Sequence, residues 1–381
     1  MTDRVLMGNE QEPTPAELAL PRARPVVGRS GVARIWSLPL PVLVSLIVAT
    51  CLAKYGVGRF VSWKYMYALA VHWRDPFSSS LFKPSTSYLL SSPTSALVSG
   101  LTGLSTRREF FALHFGLSLA AIALPVAMPS VRRDRYLRAI IGLVVVGGAL
   151  PAVLLSWVGS YDPVSLGAAT VGALADSPTI GAIGWALFGF NNSPEAILAF
   201  GAYALVSLYS EGPAALRSLA GCAAGLCVGI VGISALTSHW GGSTSRITMF
   251  RYWPFSAFWR SELNYWPLIL YSALGIGWLI FLKREARVRK AARALCAVAV
   301  VASAAVPLVV LDQSRIVSGT LWAAALFAAR DIAGSLSEEQ LDGLLRRVTL
   351  PAFVFPVMLV WSGQIVYAGW QHGVEFIQSV V

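Results

Sequence analysis

The sequence predicts an all-α, polytopic transmembrane helical bundle of about nine to eleven spans. Three observations carry that expectation. First, 56% of the 381 residues are hydrophobic and 13% charged, whereas an ordinary soluble domain carries roughly 25% charged residues. Mean hydropathy is correspondingly high, at +0.63. Second, apolar runs approaching span length recur along the chain, and crossing a hydrocarbon core of about 30 Å takes about 20 helical residues. Third, the basic residues gather in a few of the connections between runs. The apolar/polar alternation of a barrel strand is absent, and backbone groups in lipid must be satisfied internally, so the runs read as helices.

In order, the apolar runs lie near 37–56, 110–129, 138–157, 164–175, 180–190, 194–209, 218–237, 266–282, 294–311, 317–333 and 350–370. The pair 164–175 and 180–190 is short, and reads either as two tilted spans or as a re-entrant pair. Ahead of the first run, residues 1–36 are polar and rich in Pro and Arg. They read as a disordered cytoplasmic tail rather than a cleavable signal, because the apolar run starts too late. Residues 37–381 then form the transmembrane domain, with a long outer loop at 57–109 and another outer loop at 238–265.

Orientation follows from three basic clusters: Arg132, Arg133, Arg135 and Arg138; the group from Lys283 to Arg293; and Arg346 with Arg347. Counting crossings from a cytoplasmic N-terminus places all three inside, as the positive-inside rule asks. Arg107 and Arg108 resist this count, since they fall at the outer end of the second run, where an interfacial helix would accommodate them. The expected location is the inner or plasma membrane, crossed many times. The net charge of +11 (30 Lys and Arg against 19 Asp and Glu) is thus a property of loops, and no nucleic-acid partner is expected. Cys51, Cys222, Cys227 and Cys296 all sit inside apolar runs and read as small core residues, not as disulfides or zinc ligands. Walker-type Gly loops, HExxH and GxSxG are absent.

Chemistry is expected on the outer side, where polar groups lie hard against the ends of apolar runs. An ionised group costs about 2.5–3.5 kcal/mol at mid-membrane, so such groups point to a wet cavity or to a solvated rim. Asp162, in Ser160-Tyr161-Asp162-Pro163, is either a helix cap or a carboxylate that accepts a proton from a hydroxyl. Asp312 and Arg315 are spaced i, i+3, so they either pair to fix a helix end or present Arg315 to a phosphate. Arg315 is expected near water, at a helix end. Segment 238–265 brings His239, Arg246, Arg251 and Trp253 together with further aromatics, as an interfacial belt or as a loop that stacks on sugar rings and holds phosphate. The long outer loop contributes Arg59, Lys64, His72 and Asp75, and the turn at 190–195 contributes Asn191.

This layout resembles the GT-C superfamily of membrane glycosyltransferases and related O-antigen-polymerase-like proteins. The matching pieces are the Trp63-to-Phe77 stretch, the Gly159-to-Pro163 turn and Asp312-Gln313-Ser314-Arg315. The resemblance covers most of the chain by layout and a small part by motif. It implies a GT-C-like bundle with an outer-face site. It also implies transfer of a sugar from a polyprenyl-phosphate-linked donor to a cell-envelope glycan or lipid acceptor, among membrane lipids. The catalytic carboxylate would be Asp162, Asp75 or Asp312. Arg315, Arg59, His72, His239, Arg246, Arg251, Trp253 and Asn191 would bind substrate. No cofactor is expected, and metal dependence stays open. Such enzymes usually carry an acid soon after the first span, but here that region is basic and aromatic, with Asp75 the first acid. The alternatives are a transporter or flippase of a lipid-linked solute, and a non-catalytic subunit of an envelope complex.

Overall fold

The computed structural model describes residues 35–58, 62–82, 90–104, 106–241, 255–287, 289–308, 310, 312–361 and 364–367. Helices dominate. The first apolar run forms α1 (Leu40–Tyr55), and the described part of the segment 57–109 contains two short helices, α2 (Trp63–Val71) and α3 (Thr94–Leu101). Then come α4 (Arg107–Ala127), α5 (Arg135–Gly147) and α6 (Leu150–Ser156). The short pair becomes α7 (Asp162–Leu174) and α8 (Pro178–Asn191). The later runs give α9 (Ser193–Glu211), α10 (Leu216–His239), α11 (Phe255–Leu274), α12 (Trp278–Leu282), α13 (Lys290–Ala305), α14 (Gln313–Ser335) and α15 (Glu338–Val354).

Among the described residues, four helical stretches are long and apolar enough to cross a membrane: Arg107–Ala127, Ser193–His239, Asn264–Leu282 and Gln313–Ser335. The pair α5 and α6, bent by 53° at its break, makes a fifth if it counts as one span. Burial locates the centre. In the most apolar window of α14, 83% of the residues are buried, against 39% in α4 and 33% in Ser193–His239. Those outer helices turn large apolar side chains outward, among them Leu205, Val228 and Val231, each more than half exposed. A soluble surface seldom tolerates such patches, whereas lipid does. The chain is a helical membrane protein with α14 at its core.

Helix starts and contacts follow the sequence closely. The basic pair Arg107 and Arg108 opens α4, where Thr106 and Glu109 form a reciprocal capping box. Helices α8 and α10 approach backbone to backbone, because a Cβ at Gly225 or Gly229 would overlap the carbonyl oxygens of Ala182 and Ala186. Trp36, placed by sequence in the tail, belongs to the bundle instead. It is fully buried, and its Nε1 donates to Thr349 Oγ1 at 3.3 Å. The rest of the tail lies outside the described residues.

The last apolar run departs from the helix expected over 350–370. Here α15 stops at Val354, and the chain continues as β1 (Met358–Trp361) and β2 (Gln364–Tyr367), an antiparallel pair with Met358 opposite Tyr367. Pro356 explains the stop, since it lacks an N–H and disfavours helical geometry at Phe355. The β-branched Val360, Ile365 and Val366 suit the strands that follow. Val360 N–H donates to Ser314 Oγ at 2.7 Å, which anchors the hairpin to the first turn of α14.

One buried cation holds this end of the bundle together. Lys54, near the end of α1, donates from Nζ to the carbonyls of Val146 and Ala352, each at 2.9 Å. Val146 adjoins the α5–α6 break, and the residue four after Ala352 is Pro356, which has no N–H to offer. Lys54→Met leaves both acceptors without that donor and is expected to lower stability by about 2 kcal/mol. Thermal unfolding in detergent measures it, and an unchanged midpoint would show that the two bonds add nothing.

Candidate functional site

Three helix starts meet at one end of the bundle. Asp162 and Pro163 open α7, Pro194 and Glu195 fall in the first turn of α9, and Arg315 in the first turn of α14. Proline at a helix start surrenders an N–H that has no partner anyway, and acids there face the positive end of the helix dipole. Arg315 is the hub. Its Nη1 donates to Asp162 Oδ1 and to Glu195 Oε1, both at 2.8 Å. Its Nη2 and Nε donate to Asp312 Oδ2 at 3.1 and 3.3 Å. Trp157 and Tyr161 lie beside the guanidinium, with ring centroids 5.7 and 5.5 Å away. The i, i+3 pairing of Asp312 and Arg315 is therefore present, but it is one arm of a larger network. Three carboxylates surround one guanidinium, a local excess of negative charge when all are ionised.

Burial corrects one expectation. Arg315 sits at a helix end, yet its side chain is only 6% exposed, with Asp162 at 5% and Glu195 at 7%. Asp312, at 28%, is the member open to solvent. Asp162 Oδ2 is the notable atom. It is buried and accepts no hydrogen bond among the described residues, while Oδ1 of the same carboxylate is held by Arg315.

Asn191 supports the network from behind. Its Nδ2 donates to Tyr161 O at 2.9 Å and Ser165 Oγ at 2.8 Å, and its Oδ1 accepts from Thr94 N–H at 3.2 Å. Both amide hydrogens are thus committed to protein atoms, so this side chain ties α3 to the start of α7. Gly159 makes the turn ahead of Asp162 with φ +97°, where a side chain would be strained.

Beside this turn lies a cavity of about 530 Å³, lined by Trp63, Lys64, Tyr67, His72, Ser79 and Arg107 among others. Its charged lining is cationic. Trp63 sets it against the Gly159 turn, since its Cβ lies 3.4 Å from where a Cβ on Gly159 would stand. His72 takes part through Nδ1, 3.0 Å from Ser78 Oγ, and Arg107 lies over the Trp63 ring at 5.8 Å. Asp75 is exposed at the start of the Pro76–Ser78 turn, and no ion pair joins it to Arg315. His239 is exposed at the end of α10. Arg59, Arg246, Arg251 and Trp253 lie outside the described residues. Among the described residues, no group of three or more His, Cys, Asp or Glu is arranged to hold a metal ion.

The sequence therefore marks three of the four network members as site residues, and Glu195 only as one of the polar groups in the turn at 190–195. A signal for it exists: Asn192-Ser193-Pro194-Glu195 places an acid beside a proline right after an apolar run, as Asp162-Pro163 does. Fold and site define a helical membrane protein with a buried ion network at one end. No family model, no curated protein and no solved structure matches this chain.

Proposed function

We propose that this chain is a membrane glycosyltransferase, moving a sugar from a polyprenyl-phosphate-linked donor to a hydroxyl of a cell-envelope glycan or lipid. The bundle would cross the membrane about ten times, with the Arg315 end facing outside. The observation that carries the proposal is the Asp162 carboxylate, fixed through Oδ1 by Arg315 and unpartnered at Oδ2. That is the arrangement a general base needs: one oxygen sets the orientation and the other accepts the proton. The acceptor hydroxyl gives its proton to Oδ2, its oxygen bonds to the anomeric carbon, and the lipid phosphate leaves with the electrons of the old C–O bond.

The roles shift from those the sequence suggests. Arg315, engaged by three carboxylates, positions the base rather than gripping phosphate. Charge on the leaving phosphate falls to Lys64, Arg107 and His72 in the neighbouring cavity, where Trp63 and Tyr67 offer faces to a sugar ring. The likeness of this layout to GT-C glycosyltransferases points the same way.

The test is direct. Purified full-length chain in detergent, given a polyprenyl-phosphate or polyprenyl-diphosphate sugar, should transfer the sugar to an acceptor, with product followed by mass spectrometry. Turnover of a soluble nucleotide sugar, with none from the lipid donor, would refute the proposal.

One feature favours transport of a lipid-linked solute instead. A second cavity of about 450 Å³ opens among the far ends of α7, α9 and α14, lined by Asp176, Glu211, Arg330 and Asp331. The same three helices thus carry charge at both ends, as a path across the bundle would require. Donor-independent movement of a labelled lipid across vesicles, with no sugar transfer, would decide for transport.

A further inference from the structure

An apolar groove on the flank of the bundle runs toward a patch of cations at the end opposite Arg315. Arg289 fixes its position, because Nη2 donates to Ser335 O at the C-terminus of α14, the other end of that helix from Arg315. The groove runs between α11–α12 and α13 and holds about 370 Å³. Leu270, Ile276, Leu279 and Leu282 line one wall, and Cys296 and Val300 the other. It arises from the sequence: Pro267 lies within α11, and Gly275, with φ +53°, offsets α12 from it. Leu279, Leu282 and Val300 are 44%, 45% and 45% exposed, so the groove opens outward from the bundle. Its lining is almost wholly apolar, which fits a hydrocarbon chain.

The cations continue both walls. Leu282 is followed directly by Lys283 and Arg284. On α13, Arg293 precedes Cys296 and Val300 by three and seven residues, so it shares their helix face, and Lys290 precedes it on the same side. Arg284, Lys290 and Arg293 are exposed and Lys283 is half-buried. No carboxylate pairs with any of the four among the described residues. Arg289 differs, being engaged with Ser335.

We propose that this groove binds one anionic glycerophospholipid, with an acyl chain along the apolar walls and the phosphate headgroup on Lys283, Lys290 and Arg293. A zwitterionic lipid with the same chains fills the groove equally well but leaves the positive patch unmatched. Each cation near an anionic headgroup favours binding about fivefold, so three together favour it about 100-fold. The site is independent of the chemistry at Arg315, and its cations lie toward the other end of α14.

The experiment is native mass spectrometry of the delipidated full chain in mild detergent, titrated with dioleoyl phosphatidylglycerol or dioleoyl phosphatidylcholine. One equivalent of phosphatidylglycerol should be retained at least tenfold more tightly than phosphatidylcholine. Lys283→Gln/Lys290→Gln/Arg293→Gln should bring phosphatidylglycerol down to the phosphatidylcholine level. Cys296→Phe, which fills the groove without touching charge, should weaken both lipids. Equal retention of the two lipids by the wild-type chain overturns the proposal, as does undiminished phosphatidylglycerol binding in either variant. Displacement of phosphatidylglycerol by an equimolar polyprenyl phosphate would assign the groove to a different lipid and overturn this occupant.

Discussion

Arg315→Ala is expected to lower the stability of the folded chain by about 3–5 kcal/mol, because it strands buried carboxylates that pair with no other cation among the described residues. Asp162 and Glu195 both bond the same Nη1 and are largely buried, so water compensates the lost cation poorly. Arg315→Lys should fall between alanine and wild type. An ammonium keeps the charge, yet it cannot span three carboxylates from one planar fork. Removing the acids as well should restore part of the loss. Arg315→Met/Asp162→Asn/Glu195→Gln is therefore expected to unfold at a higher temperature than Arg315→Ala, a non-additivity that marks a coupled network. Folded yield and thermal midpoints in detergent are the measurements. A wild-type midpoint for Arg315→Ala would show that the network does not hold the three helix starts together.

Asp162→Asn should separate chemistry from folding. The amide still offers an oxygen to Arg315 Nη1 and removes one negative charge from a site with more carboxylates than cations. Stability should therefore stay near wild type, while turnover of the lipid-linked donor falls about 10²- to 10⁴-fold with the loss of the base. Glu195→Gln relieves the same charge excess but leaves Oδ2 of Asp162 untouched, so most activity should survive. Equal activity loss in both variants would assign the base to the pair, and full activity in Asp162→Asn would remove Asp162 from the reaction.

The far cavity at Asp176, Glu211, Arg330 and Asp331 is also lined by charge. Arg330 lies 3.8 Å from Asp176, and both side chains are substantially exposed, at 47% and 59%. The pair is a weak, solvated contact of the kind that contributes little to stability. The buried network around Arg315 has no such screening. The difference in burial, more than the similarity of residue types, makes the Arg315 end the stronger candidate for chemistry.

What the sequence by itself determined is the class of the molecule. Its apolar runs before the last become helices, its scarcity of charge leaves apolar side chains facing outward, and the i, i+3 spacing of Asp312 and Arg315 becomes an ion pair. Those features are local or compositional, so period and spacing suffice to read them. Only the tertiary structure decided that Arg315 also holds Asp162 and Glu195, 153 and 120 residues away in the chain. Nothing in the spacing of one run says which other helix start will face it; packing around α14 settles that. The same holds for the hairpin after Val354, where apolarity alone cannot tell a span from a pair of strands. It holds too for Lys54, whose partners are carbonyls freed by a helix break and by a proline far along the chain. Helix periodicity is written in neighbouring residues, whereas the convergence of buried charge depends on which helices pack together.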